Sequence, residues 1–514
     1  MIYNSLKIYL LIFLNVLLIS FIKAQSSFYF EYEKSSPMQG KDIVETSNNE
    51  FLVLVIVPPA YGYDMLVRLS ANGEAISQYH FGSPDTIISL SGIHRFDDNH
   101  IVLTGLAQFS ENLNDCYALQ IHLDDELHIN EQIYTQIQHH LEIFYTTLDD
   151  NNNLIWAGSY GSYGSLDIII IKIDMFGNLL NSTTHIIEGN HFVNDVIQFF
   201  ENPIKYGISV TGPMEGYINQ GQEFFLQFDE DLQYLKTDKI PNIRGVGNTN
   251  MAIVDNGLIA FAGKSFSPCT IMSGFDNHQY YNTLEWIFAN YTEDANKSVF
   301  VLADESISTL GYITFGDGIV RDFPAPYRAI SSYEPHIIYT AGIKNIIPTQ
   351  WPYQNEASWI RVNKLDNELN IIWEKYIGGD AYYQVNSVTA TSDGGVVLSG
   401  FKTYPGQAPL MNLLAIKLKP DGTVSLDEYP AVESAFVISV FPNPANTETQ
   451  IQFAENAVLE NAMIELYCPS GRLLYIARPT NHFHPIDVAH LSQGMYLLRL
   501  WDGERWRVQK LMKQ

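Results

Sequence analysis

Beyond roughly the first thirty positions, apolar residues alternate with polar ones or form short apolar blocks bounded by Gly, Asn and Asp. Apolar residues at helical spacing are rare there. Alternation places successive side chains on opposite faces of a strand, and the bounding residues tolerate the dihedrals of tight turns. The pattern predicts short strands joined by hairpins. With 31 Tyr and 28 Phe, both strand-favouring, it predicts a chain that is nearly all β.

Between about residues 28 and 428 the strands fall into a repeated unit. An apolar strand ends in a small residue and glycine: "VLTG" at 102–105, "IWAG" at 155–158, "SVTG" at 209–212, "AFAG" at 260–263, "YTAG" at 339–342 and "VLSG" at 397–400. A variable loop follows, then a second strand such as "DIIIIKIDMFGN" or "LLAIKLKPDG" that runs into a turn. A spacing of roughly 50 residues is that of four-stranded propeller blades. One such unit cannot bury both faces, and an open stack leaves edges that invite aggregation; closing the units into a ring removes both problems. The expectation is a seven- or eight-bladed β-propeller, with the count unsettled by a degraded unit at about 298–335. The parallel between "FYFEYEKSS" near the start and "IIWEKYIGG" near the end predicts that Phe28–Glu33 supplies a strand to the last unit.

"TSDGGVVLSG" followed by "LLAIKLKPDGTV" resembles the repeats of secreted bacterial propellers. The resemblance is clear at 148–189 and 359–426 and implies a fold without a common chemistry.

The pattern changes at the C-terminal end. In "FPNPANTETQIQF", Pro442 and Pro444 cannot donate to a ladder, so they interrupt a sheet and fix an extended lead into the next strand. "TETQIQF", "AMIELYC", "RLLYIAR" and "MYLLRLW" then alternate, which predicts a small Ig-like β-sandwich over 439–514. The acidic, Pro-containing stretch at 429–438 reads as a linker. This end resembles the C-terminal sorting domain, of type A, carried by type IX secretion cargo of Bacteroidota. The residues that carry the likeness are Pro442, Asn443, Pro444, Gly471, Leu491, Gly494 and Tyr496. Cys468 departs from it, standing where an acid or amide commonly follows the tyrosine. The resemblance implies a route: export through the periplasm, recognition by the outer-membrane translocon, and a sortase-like step that leaves the passenger surface-attached or released.

The start of the chain agrees with that route. Lys7, the apolar run Ile8–Ile22 and small Ala24 predict a signal peptide over 1–24, with the propeller region spanning 25–428. No later segment reads as a transmembrane span. Net charge is −28, from 57 acidic and 29 basic side chains, which disfavours a nucleic-acid partner and suits solubility outside the cell. Cys116, Cys269 and Cys468 are too few and too scattered for a disulfide framework or a zinc site.

Candidate chemistry is sparse. HExxH, GxSxG and Walker sequences are missing from the chain. "GSYGSYGS" at 158–165 sits in a hairpin pattern, not at a helix start. "LDDNNN" at 148–153 and "RFDDN" at 95–99 read as turns rather than calcium loops. "TSDGGVVL" at 391–398 resembles the Asp-box of sialidases, a structural turn in that family, and a single copy without an arginine triad does not make this chain a sialidase. His482 and His484 share a strand face, the spacing of a metal pair but also of an ordinary surface pair; the adjacent His139 and His140 do not. Tyr160, Tyr163, Tyr217 and Tyr353 are aromatic candidates for stacking on sugars or meeting a protein. No catalytic residue, metal or cofactor is predicted. The first expectation is an exported binding or adhesion module whose partner is a glycan or surface protein. The alternatives are a polysaccharide hydrolase or lyase, with at least two carboxylates, or a carboxylate with His or Arg, converging at the mouth of the ring's channel, and a structural surface component.

Overall fold

In a computed structural model, the chain is described over residues 27–514 except 34–35, 59–62, 84, 98–99, 110–111, 125–127, 138–142, 163–164, 187–190, 202, 215–216, 245–249, 256–257, 266–268, 271–273, 277–278, 282–286, 289–296, 304–308, 317–321, 333–335, 346–356, 405–409, 425–436, 442, 454–458, 460–461, 469–471 and 502–505. The described residues are all β, without a helix. Two compact units partition the chain, Met1–Asp427 and Glu428–Gln514.

In the first unit, seven antiparallel sheets follow one another. The first is typical: Gln39–Glu45, Phe51–Ile56, Met65–Leu69 and Ala75–His80 lie side by side in chain order. The first strands of the other six are Thr86–Asp97, Ile143–Leu148, Phe192–Glu201, Asn250–Asp255, the split pair Asp322–Pro324 and Ile330–Ser331, and Tyr382–Ala390. These first strands touch in succession, and Tyr382–Ala390 returns to touch Gln39–Glu45, so the circuit is closed. The seventh sheet takes its outer strand from the other end of the chain. Phe28–Tyr32 pairs with Asn412–Leu418, with Phe28 opposite Lys417 and Tyr32 opposite Leu413. The predicted strand exchange is present.

The uneven region near residue 300 has a physical cause. Lys297–Ala303 and Thr309–Phe315 are the third and fourth strands of the fifth sheet, whose first two are Asn250–Asp255 and Leu258–Ser265. An insertion lies between the second and third strands, with two short pairs of its own, Cys269–Thr270 with Ile287–Phe288 and Gly274–Asp276 with Gln279–Tyr281. The unit is interrupted, not degraded.

The repeated glycine also has a reason. Gly105 and Gly400 lie opposite Leu90 and Val385, where the first strand of each sheet shifts register. A bulge bends its strand toward the neighbour. A Cβ on Gly400 would lie 1.9 Å from Gln384 O, and one on Gly105 2.6 Å from Ser89 O. The turns follow one rule as well. Asp149, Asp174, Asp229 and Asp366 each accept, on one carboxylate oxygen, the amides two and four residues on. The residue three on, Asn152, Gly177, Leu232 or Leu369, has positive φ. Asp149 follows a first strand and the other three stand at the end of a third, so this anchoring explains why the third strand so often ends in an acid.

Adjacent sheets share apolar cores, one of which joins Phe28 and Leu413 of the seventh sheet to Ile43 and Phe51 of the first. Polar groups stitch the same junctions. Asp64 accepts the Leu90 amide, His94 bonds Thr146, Asp195 accepts the Met251 amide, Asn250 accepts the Ala329 amide, and Asn386 donates to Gly40 O.

The second unit has two sheets, Val437–Phe441, Glu448–Phe453 and Phe483–Asp487 in one, and Leu473–Ala477, Met463–Tyr467, Gly494–Trp501 and Trp506–Lys513 in the other. A single core including Ile451, Ile464, Leu466, Leu498 and Leu511 draws on both.

Candidate functional site

Residues in and beside the first strands of the first six sheets line a cavity of ≈ 290 Å³. Five of its lining side chains are acids, bases or imidazole: Lys41 and Asp42 from the first sheet, His94 from the second, Asp195 from the fourth and Arg328 from the sixth. Thr146, Tyr327 and Ser331 add hydroxyls, and Val196, Ile197, Met251 and Ile330 supply the apolar part of the wall.

Backbone irregularity puts the two aspartates there. Asp42 and Asp195 each follow a register shift, after Gly40 and Val193 respectively. A bulge leaves one amide without a ladder partner, and the carboxylate takes it up. Asp42 Oδ1 accepts Ile43 N at 2.9 Å, and Asp195 Oδ1 accepts Val196 N at 2.9 Å. Their second oxygens reach further. Asp195 Oδ2 accepts Met251 N of the fifth sheet at 2.8 Å, while Asp42 Oδ2 receives Arg328 Nη2 at 2.9 Å. Arg328 also donates Nη1 to Thr389 Oγ1 at 3.1 Å, so it ties the sixth sheet to the seventh and the first. Lys41 donates to Leu90 O at 3.1 Å, and its ammonium lies 5.1 Å from the centre of the Tyr327 ring.

Desolvation sets the protonation states. Burial pushes the Asp195 carboxyl up to about 7; the amides of Met251 and Val196 and the Arg328 charge pull it back, and Asp42 adds to the rise. Burial lowers the Lys41 ammonium to about 8 against the opposing pull of Asp64 and Asp42. Burial and the Arg328 charge hold His94 down to about 3, so this imidazole is neutral at physiological pH.

None of these five residues stood out in the sequence. The signal that would have found them is the alignment of "GKDIV", "VNDVI" and "VNSVT", in which each first strand shifts register beside its small polar residues. Arg328 has no such signal, because it sits in a connection between the split first strands of the sixth sheet.

The sequence candidates lie elsewhere. Asp149 of "LDDNNN" anchors its turn and accepts Tyr206 Oη at 2.7 Å, with Lys172 3.5 Å away. Asp393 of "TSDGG" accepts Gly395 N at 3.0 Å and Lys417 Nζ at 2.9 Å. Both are structural turns. "GSYGSYGS" spans a hairpin in which Ser162 pairs with Ser165. Tyr160 is half-buried against the core of its junction. Tyr163, Tyr353, His139, His140, Asp98 and Asn99 lie outside the described residues, as does the Tyr217 side chain. His484 Nε2 bonds Tyr475 Oη at 2.9 Å, and among the described residues no cluster of three or more His, Cys, Asp or Glu side chains is set to hold a metal ion.

The motif residues of the second unit fasten its ends. Asn443 Oδ1 accepts Met512 N at 2.8 Å, and the Asn443–Pro444 bond is cis. Ala445 then pairs with the last strand, donating to Met512 O at 2.7 Å and accepting Gln514 N at 2.9 Å. Leu491 packs against the core, Gly494 has φ 150°, and buried Tyr496 donates Oη to Ser492 O at 2.8 Å. Pro442 and Gly471 lie outside the described residues.

Residues 439–514 match the family model of the secretion system C-terminal sorting domain. No curated protein matches the chain. Among solved structures, a polysaccharide lyase described as an ulvan lyase bound to -[GlcA(1-4)Rha3S]- is similar at TM-score 0.44 and 8% identity, covering 75% of this chain and 95% of its own. The polysaccharide lyase Uly1 is similar at TM-score 0.43 and 11% identity, covering 74% and 90%. The β-propeller domain of the Trilobed protease from Pyrococcus furiosus, described as having an open velcro topology, is similar at TM-score 0.39 and 9% identity, covering 75% and 95%. Likenesses this distant say nothing about the chemistry of this chain.

Proposed function

We propose that this chain is a type IX secretion cargo whose passenger is a seven-bladed β-propeller that binds a small polar ligand on its axis. The sorting-domain match over 439–514 supports the export half of this reading. The seven sheets and the closed circuit of their first strands support the blade count. In this reading residues 1–24 are a signal peptide, 25–428 the passenger, 429–438 the linker and 439–514 an Ig-like sandwich. The translocon and sortase would recognise that sandwich through the motif that Pro442, Asn443, Pro444, Gly471, Leu491, Gly494 and Tyr496 make up. The mature passenger is then surface-attached or released.

The observation that carries the binding half is the polar axial cavity. Its volume is at the low end of ligand pockets, about 300–1,000 Å³, which suits one small molecule or a single sugar unit of a glycan. Among the described residues, no apolar plug of the kind a purely structural component would carry fills it. A hydrolase or lyase needs a carboxylate or another general base, such as a histidine, aimed at a substrate, and His94 Nε2 is taken up by Thr146. All four oxygens of Asp42 and Asp195 are instead held by backbone amides or Arg328, which favours binding over catalysis.

Export is tested in a bacterium that carries the type IX apparatus. The full chain should reach the surface or the medium, and a chain ending before residue 439 should stay in the periplasm as a folded passenger. Equal surface delivery of both chains rules the export reading out. Binding is tested by a thermal-shift panel of neutral, anionic and cationic small solutes on the mature chain; a panel without one stabilising solute counts against it.

A further inference from the structure

Resting on the reading of the axial cavity as a binding site, we infer that its ligand is a small organic anion. A carboxylate or sulfate group of that ligand sits against Lys41 and Arg328. The argument is a count of donors and acceptors. Lys41 commits one of its three N–H donors to Leu90 O, and Arg328 commits two of its five, to Asp42 and Thr389. The carboxylates facing them are already engaged on every oxygen. Among the described residues this leaves two donors on Lys41 and three on Arg328 to spare, against one lone pair on each carboxylate oxygen, so a complementary ligand brings acceptors to those cations.

Charge points the same way. The whole chain carries −28, so a cation would be the default partner of its surface. Inside the cavity that acidic excess is gone, with two cations set among the carboxylates. Lys41 and Arg328 are opposed by Asp42, by Asp64 beside Lys41, and by Asp195, which burial keeps partly protonated near neutrality, while His94 is neutral. The Tyr327 ring under the Lys41 ammonium holds it in place without neutralising it.

The experiment is isothermal titration of the mature full chain with sodium glucuronate, sodium sulfate and glucose. One or both anions should bind, with glucose at least tenfold weaker. Glucuronate alone assigns a carboxylate, and sulfate alone a sulfate ester. Lys41→Met should weaken anion binding tenfold or more and Lys41→Arg should retain most of it, with far-UV circular dichroism unchanged in both. The wild-type pH profile is a second readout that needs no variant. Affinity should fall as pH rises through about 7 and then about 8, as Asp195 gains charge and Lys41 loses it. Equal affinity for glucose, unchanged anion binding in a folded Lys41→Met, or a flat pH profile overturns the anion assignment while leaving the binding reading intact. If neither anion binds but a neutral or cationic solute in the thermal-shift panel does, the anion assignment alone fails. Silence in both assays defeats both.

Discussion

Phe28→Ala tests whether the ring is held shut by the N-terminal strand. Phe28 is 1% exposed and packs edge-on against Phe51 of the first sheet, with ring centres 5.3 Å apart. It also fills the space beside Gly73, where a Cβ would come within 2.5 Å of the Phe28 ring. Removing the side chain forfeits about 1.5–3 kcal/mol of apolar burial and about 0.5–1.5 kcal/mol of aromatic contact. With the cavity left behind, the sum falls in the usual range for Phe→Ala in a core, about 3–5 kcal/mol. For a cooperative unit of about 400 residues, with an unfolding entropy near 0.8 kcal/mol/K, about 4 kcal/mol lowers the melting temperature by about 5 °C. Urea and thermal unfolding of the mature chain, followed by circular dichroism, read this directly. Phe176→Ala is the control, since Phe176 is 72% exposed on a turn and should cost no more than about 0.5 kcal/mol. If Phe28→Ala behaves like Phe176→Ala, the strand frays without consequence and closure does not depend on it.

The remaining predictions concern buried charge. Lys402, with a side chain 3% exposed, stands 3.6 Å from Glu31 and 3.2 Å from Asp380, between the rings of Tyr383 and Tyr404. Lys402→Met leaves those acids facing each other at the closing sheet and should cost about 3–5 kcal/mol in urea unfolding; a neutral outcome would mean the cluster is solvated. Asp195 has its carboxyl raised to about 7 in the fold, so its contribution to stability is fully present below the unfolded value and is lost as pH rises through about 7. Carboxyl-carbon NMR should show Asp195 titrating near that value; a midpoint near that of a free aspartate refutes the buried geometry.

Much of the architecture was legible without coordinates because it is written in local periodicity. Alternation, the glycine after each apolar strand, and the acids that end third strands reflect bonds made within one sheet. The exchange of Phe28–Tyr32 into the last sheet was legible too, because the two ends carry similar strands. The break near residue 300 was not: an insertion between the second and third strands of the fifth sheet looks, in one dimension, like a decayed repeat.

The chain by itself therefore determined the strands, their turns, the repeat and the sorting-domain end, each of which depends on neighbours a few residues away or on an ordered motif. The tertiary structure alone decided the axial cavity. Lys41, Asp42, His94, Asp195 and Arg328 come from four different sheets and are spread over nearly three hundred positions. Only ring closure brings them to one wall, and only the bulged strands turn an oxygen of Asp42 and of Asp195 onto the next backbone amide.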